Sequence, residues 1–174
     1  VKFTHYDVEE DASPKPLFIN KDITITGDTE EATLLTRTTI QLGADVTFKN
    51  MHLEMVTSGG RSTTIYAAGH TLVLDGVNTK LGTNSLQDDI RPYISGGAYK
   101  GTDGILGNHA VIKVIHPTDQ TRLSAIYAGD YWKNSKMPVD IELDGKLVDT
   151  VIHTAGADGF GLEGDVSVKL GKKN

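Results

Sequence analysis

Ile40-Gln41-Leu42-Gly43-Ala44-Asp45-Val46-Thr47-Phe48-Lys49-Asn50-Met51-His52-Leu53 is the stretch from which the architecture is read. Gly43, Ala44 and Asp45 form a turn, and an alternating strand follows, with Val46 and Phe48 on one face and Thr47 and Lys49 on the other. Asn50 tolerates a left-handed backbone and can bend the chain, after which Met51-His52-Leu53 begins a second strand. The phrase recurs outward in both directions. Ile23-Thr24-Ile25-Thr26-Gly27 follows Asn20-Lys21-Asp22, and Leu72-Val73-Leu74-Asp75-Gly76 follows Gly69-His70-Thr71. Ile112-Lys113-Val114, Val139-Asp140-Ile141 and Val166-Ser167-Val168 repeat the strand further on. The first residues of these strands lie 23, 26, 40, 27 and 27 residues apart.

The flanks repeat as well. Ile65-Tyr66-Ala67-Ala68-Gly69 returns as Ile126-Tyr127-Ala128-Gly129, and Leu74-Asp75-Gly76 returns as Leu143-Asp144-Gly145. Ile40 to Val46 matches Phe160 to Val166 in character. A unit of this length holds two or three short strands and a bend, which is one coil of a parallel β-helix. A single coil cannot bury its inward side chains, so coils must stack and share a core. Val46 and Phe48 are expected beneath Leu72 and Leu74, with Ile112, Val139 and Val166 continuing the column. The 40-residue step predicts an insertion from Gly82 to Gly104, and Tyr131 to Pro138 predicts a second protrusion. Thr, Val and Ile make up 46 of 174 residues, which suits pleated backbone, and no long helical periodicity competes. The expectation is an all-β chain, a right-handed parallel β-helix over residues 1–174, with residues 1–16 as a cap or linker. A β-sandwich or jelly roll is the alternative, since strands every 8 to 12 residues also fit that class.

The phrase from Ile40 to Leu53 resembles coils of pectate-lyase-like right-handed β-helices. More narrowly, it is similar to β-helical modules in long wall-anchored surface proteins of Gram-positive bacteria. The resemblance spans Ile19 to Leu170. It implies an extracellular, cell-wall setting and flanking domains in a longer parent protein, and it carries over no catalytic residue. The start at Val1 agrees with a piece of such a protein.

Composition narrows the chemistry. Seventeen Lys and Arg against 23 Asp and Glu give a net charge of −6, the wrong sign for a general phosphate-backbone binder, so no nucleic-acid partner is expected. Zero cysteines exclude a disulfide framework, a thiolate zinc site and a cysteine nucleophile. No run of apolar residues approaches the length of a membrane-spanning helix, so no direct membrane insertion is expected. The six histidines show no His-Glu-x-x-His pattern, and no serine sits in Gly-x-Ser-x-Gly. Asp75 and Asp144 stand in Leu-Asp-Gly turns, coils apart on one edge, rather than as the facing carboxylates of a glycosidase. Asp88, Asp89, Asp103 and Asp158 offer oxygens that suit Ca²⁺, yet none has the spacing of a Ca²⁺ loop, so turns are expected and no cofactor.

Aromatic residues point elsewhere. Tyr93, Tyr99, Tyr127, Tyr131 and Trp132 fall in or near the two protrusions, and such rings bring area, a flat face and a hydrogen bond to a binding surface. The expected ligand site is these five, with Asp88, Asp89 and Arg91 on its rim. The functional expectation is a non-enzymatic, adhesin-like surface module that binds a host protein or a glycan. A carbohydrate-active enzyme of the β-helix type, lyase or hydrolase, is the alternative, motivated by the acidic insertion. A spacer without any ligand is the third reading.

Overall fold

The computed structural model describes residues 16–29, 32–36, 38–55, 63–79, 91–100, 106–145, 147 and 149–171, and the backbone course of 3–5. The strands, in chain order, are β1 (Phe3–His5), β2 (Leu17–Ile19), β3 (Ile23–Thr26), β4 (Thr33–Thr36), β5 (Ile40–Leu42), β6 (Val46–Met55) and β7 (Thr64–Tyr66). They continue as β8 (Thr71–Asn78), β9 (Tyr93–Ser95), β10 (Ala110–Ile115), β11 (Ala125–Tyr127), β12 (Val139–Leu143), β13 (Val151–His153) and β14 (Val166–Leu170). Among the described residues there is no helix, and every strand pair is parallel. One sheet has eight strands, running β1-β4-β6-β8-β10-β12-β14 with β3 also on β6. The other has six, running β13-β11-β9-β7-β5-β2. The chain is a parallel β-solenoid of about 5 turns, consistent with a right-handed parallel β-helix. The sandwich alternative falls, because its neighbouring strands would pair antiparallel.

The repeated phrase stacks in register. Ile23, Val46, Leu72, Ile112, Ile141 and Val168 form one inward column, and Ile25, Phe48, Leu74, Val114, Leu143 and Leu170 form the next. From the six-stranded sheet Leu17, Ile40, Ile65, Ile94, Ile126 and Ile152 face them. Phe48, Leu72, Leu74, Ile65 and Ile94 are fully buried. Each such side chain contributes roughly 1.5–3 kcal/mol of transfer free energy.

Three expectations need correction. Val139 was placed beside Ile112 and Val166 in line with both, but Val139 pairs with Ala110 and with Val166, while Ile112 pairs with Ile141. A slip of two keeps the same face inward, so alternation alone could not detect it. The Gly82 to Gly104 insertion contains β9, an ordinary member of the six-stranded sheet that pairs with β7 and β11; residues 80–90 and 101–105 lie outside the described residues. The counterpart of β5 in the last turn is β13 and not Phe160–Leu162, for Ile152 ends the column that Ile40 belongs to. A loop turned at Asp158 and Gly159, both at positive φ, separates β13 from β14.

The bends also align. Lys49, Asp75 and Ile115 are register partners, and the residues after them, Asn50, Gly76 and His116, have φ of 48°, 62° and 48°. Gly145, φ 84°, follows Asp144, whose N–H donates to Val114 O at 2.9 Å, and extends the same corner. At the ends Phe18 and Ile23 on one side, and Val151, Val168 and Leu170 on the other, are exposed. Of the expected cap, β1 pairs with β4, and residues 6–15 lie outside the described residues.

Candidate functional site: an aromatic face on the six-stranded sheet

The outward side of the six-stranded sheet carries a column of Phe18, Gln41, Tyr66, Ser95, Tyr127 and His153. Beside it run Thr64, Tyr93, Ala125 and Val151. Outward residues of a solenoid are ordinarily solvated, yet Gln41 is 0% exposed and Tyr66 is 3% exposed. Two connecting segments cover them, 96–100 after β9 and 129–132 after β11. Gln41 Oε1 accepts the N–H of Tyr99 at 2.7 Å, and its Nε2 donates to Leu42 O at 2.8 Å. Buried Asp130 accepts the N–H of Trp132 at 2.8 Å and that of Ala98 at 3.3 Å, so one carboxylate holds both segments. Ser95 Oγ donates to Gly129 O at 2.9 Å and accepts the N–H of Gly97 at 3.1 Å. A Cβ on Gly97 would stand 2.5 Å from Asp130 Cα, so the close approach of the two segments requires glycine there.

These segments gather the rings. Tyr66 meets Tyr99 and Tyr131 edge-on, with centroids 5.8 and 6.0 Å apart. Tyr131 also meets Tyr127 at 5.0 Å and Tyr93 at 6.4 Å. Tyr93 and Tyr127, diagonal neighbours across β9 and β11, lie 6.3 Å apart. Tyr127 stacks on His153 at 4.5 Å with planes 7° apart. Trp132, 47% exposed, stands out from the group with Lys100 Nζ 5.8 Å from its ring centroid. Burial pushes the Tyr66 hydroxyl up to about 12. Burial, followed by the neighbouring Tyr127, raises the Tyr131 hydroxyl far above the ordinary phenol range. Both phenols stay neutral at any physiological pH.

The structure brings together Tyr93, Tyr99, Tyr127 and Tyr131, with Trp132 beside them. The expected rim is different. Asp88 and Asp89 lie outside the described residues. Arg91 has a mostly buried side chain that pairs with Asp149 at 3.6 Å, so it is tied to the corner before β13. Sequence reasoning passed over His153 and Lys100 and left Tyr66 out of the site. The signal for His153 was present, because Ile152-His153 repeats Ile126-Tyr127.

The eight-stranded sheet carries charge on its outer face. Asp75 lies 2.8 Å from Lys49 Nζ and 2.7 Å from His116 Nδ1. His109 Nε2 stands 3.0 Å from Asp140, and Glu142 holds Lys113 and Lys169 at 3.2 and 2.8 Å. These are ties between successive turns. Asp144 lies two turns from Asp75 in one column, with Ile115 between them. Among the described residues no three His, Asp or Glu side chains group to hold a metal ion, and no helix is long and apolar enough to cross a membrane. Comparison of the chain with protein families, with curated proteins and with solved structures gives no match.

Proposed function

We propose that this chain is a non-enzymatic binding module of a large bacterial cell-surface protein and that it holds a partner protein on the aromatic face. The resemblance of its coils to pectate-lyase-like helices and to wall-anchored surface proteins supports the setting. The observation that carries the reading is the indole of Trp132, 47% exposed and next in the chain to Tyr131, whose ring packs edge-on against Tyr66, Tyr93 and Tyr127. Large rings held rigid lose little conformational entropy on binding, and Trp and Tyr dominate the energetic centres of protein interfaces. Stacking covers one face each of Tyr127 and His153 and fixes the two rings relative to each other. Sugar stacking needs an open ring face, and Trp132 supplies the one argument for a glycan as the second reading.

The test is a binding screen of the 174-residue chain against extracellular matrix and serum proteins, with a glycan array alongside. Trp132→Ala and Tyr93→Ala should weaken capture of the protein partner at least tenfold while the far-UV circular dichroism stays unchanged. Equal binding by both variants would remove the aromatic face from the account. Cleavage of a polysaccharide by the purified chain would favour the enzyme alternative instead.

A further inference from the structure

The four turns that carry β3, β6, β8 and β10 do not take the corner alike. In β6 and β8 the strand runs straight through it, bending at one residue, Asn50 or Gly76. After β3 the chain instead leaves the sheet through Gly27-Asp28-Thr29, and after β10 it leaves through residues 116–120. Two loops thus stand as walls on either side of a low floor, and the groove between them has a volume of about 550 Å³. Four strands at the ordinary spacing make it about 14 Å long. Hydrogen bonds fix the walls. Thr118 Oγ1 donates to Asn78 Oδ1 at 2.6 Å, Thr121 Oγ1 donates to Val77 O at 2.7 Å, and the N–H of Thr79 donates to Gln120 O at 3.0 Å. On the opposite wall the N–H of Gly27 donates to Lys49 O at 2.9 Å, and that of Ala32 to Thr29 O at 3.0 Å. The floor is open because Gly76 has no side chain, and a Cβ there would stand 3.0 Å from Asn50 Oδ1.

Hydrogen-bonding capacity is left over in this groove. Elsewhere on the outer face of the sheet Asp75, Asp140 and Glu142 are tied to basic side chains, and Asp22 and Asp45 each accept an N–H from the next turn. Asp28 and Asp119, one on each wall, pair with no other side chain among the described residues, and the amides of Asn50 and Gln120 are equally unspent. His116 lines the groove as well. Ionised Asp75 can only accept, so His116 Nδ1 carries the proton between them at 2.7 Å, and in the neutral ring Nε2 remains an acceptor. We infer that this groove binds a neutral saccharide, held by the carboxylates of Asp28 and Asp119 and the amides of Asn50, Asn78 and Gln120. Sugar hydroxyls both donate and accept, so they match carboxylate and amide oxygens set beside amide NH₂ groups. The lining holds no Lys or Arg, which disfavours phosphates, sulfates and uronates. Among the described residues no three His, Asp or Glu side chains group to hold a metal ion. An apolar ligand would strip water from these groups and return no hydrogen bond. The volume lies within the range of small-ligand sites, and walls fixed in advance need little ordering on binding. The groove belongs to the eight-stranded sheet, so the inference is independent of what the aromatic face of the other sheet holds.

The test is an array of neutral and acidic glycans, with amide NMR titration of the 174-residue chain by maltose, cellobiose, N-acetyllactosamine and any neutral glycan the array retains. At least one neutral sugar should bind, and its shifts should centre on residues 27–29, 50–51, 76–78 and 116–120. Asp119→Ala and Gln120→Ala change exposed side chains on one wall, and together they should weaken that binding at least tenfold with unchanged circular dichroism. Trp132→Ala should leave it unaltered, which separates this site from the aromatic face. The shift map decides the matter if the double variant misfolds. Binding of no neutral sugar, shifts centred on Trp132, or a groove that answers only to calcium or to spermidine would overturn the proposal.

Discussion

Single residues set the corner of this solenoid. Asn50, Gly76, His116 and Gly145 bend the chain at one place on successive turns, and all but His116 are of a type that accepts a left-handed backbone. Gly27 enters the same corner for a different reason, because a Cβ there would run into the carbonyl oxygen of Asn50 and stand 2.8 Å from Ala32 Cβ. Gly27→Ala should therefore cost about 1–3 kcal/mol through forced repacking. Gly159→Ala meets no atom within 4 Å and should cost about 1 kcal/mol from its φ of 85° alone. Urea midpoints of the two variants check the order. The Gly and Asn corners could be read from sequence, since those residues announce a bend. His116 could not. It takes the same backbone at φ 48°, and its tie to Asp75 spans 41 residues that local pattern cannot bridge.

At the scale of the element, strands were legible where alternation was clean and hidden where a side chain broke the motif. β9 went unseen because Ser95 stands where the neighbouring turns place Tyr66 and Tyr127. The aromatic group was legible as composition. The covering of the sheet by two segments was not, since it rests on contacts such as that of Gln41 with Tyr99, 58 residues apart. Titration reports on both faces. Desolvation works to raise the Asp75 carboxyl, but the hydrogen bonds of Lys49 and His116 outweigh it and hold the group below the usual carboxylate range. The folded state therefore binds that proton more weakly than the unfolded chain. The resulting stability is full above the unfolded value, near pH 4, and is lost as pH falls below it. Asp75→Asn should remove part of that acid dependence at a cost on the order of 1 kcal/mol at neutral pH, read from denaturant melts at several pH values. The phenols of Tyr66 and Tyr131 are raised, so their sign is opposite: the folded state keeps the proton, and stability is lost as pH rises past about 10. Absorbance titration should show these two ionising only as the chain unfolds, and Tyr131→Phe should leave one late-ionising phenol instead of two.

Across the whole molecule, stability is close to a sum over turns and their contacts with neighbours. Position along the axis should then outweigh residue type. Leu72→Ala in the middle should cost about 2–5 kcal/mol, whereas Leu170→Ala at the edge, 70% exposed, should cost less than about 1 kcal/mol. Chemical denaturation of the pair checks this. The stacking itself was foreseen because a period of this length has few other solutions, while the phase between turns required the long-range pairing. The register of β6 on β8 carries one more consequence. Asp45 and Thr71, joined by a hydrogen bond, occupy equivalent places on adjoining storeys, so excising residues 46–71 would bring Asp45 against Leu72 just where Val46 stood. The shortened chain should keep its β-sheet dichroism and melt cooperatively, and a shift to random coil would count against the idea. Height in such a building is a whole number, and lineages carrying it can grow or shrink by a floor without redrawing the plan.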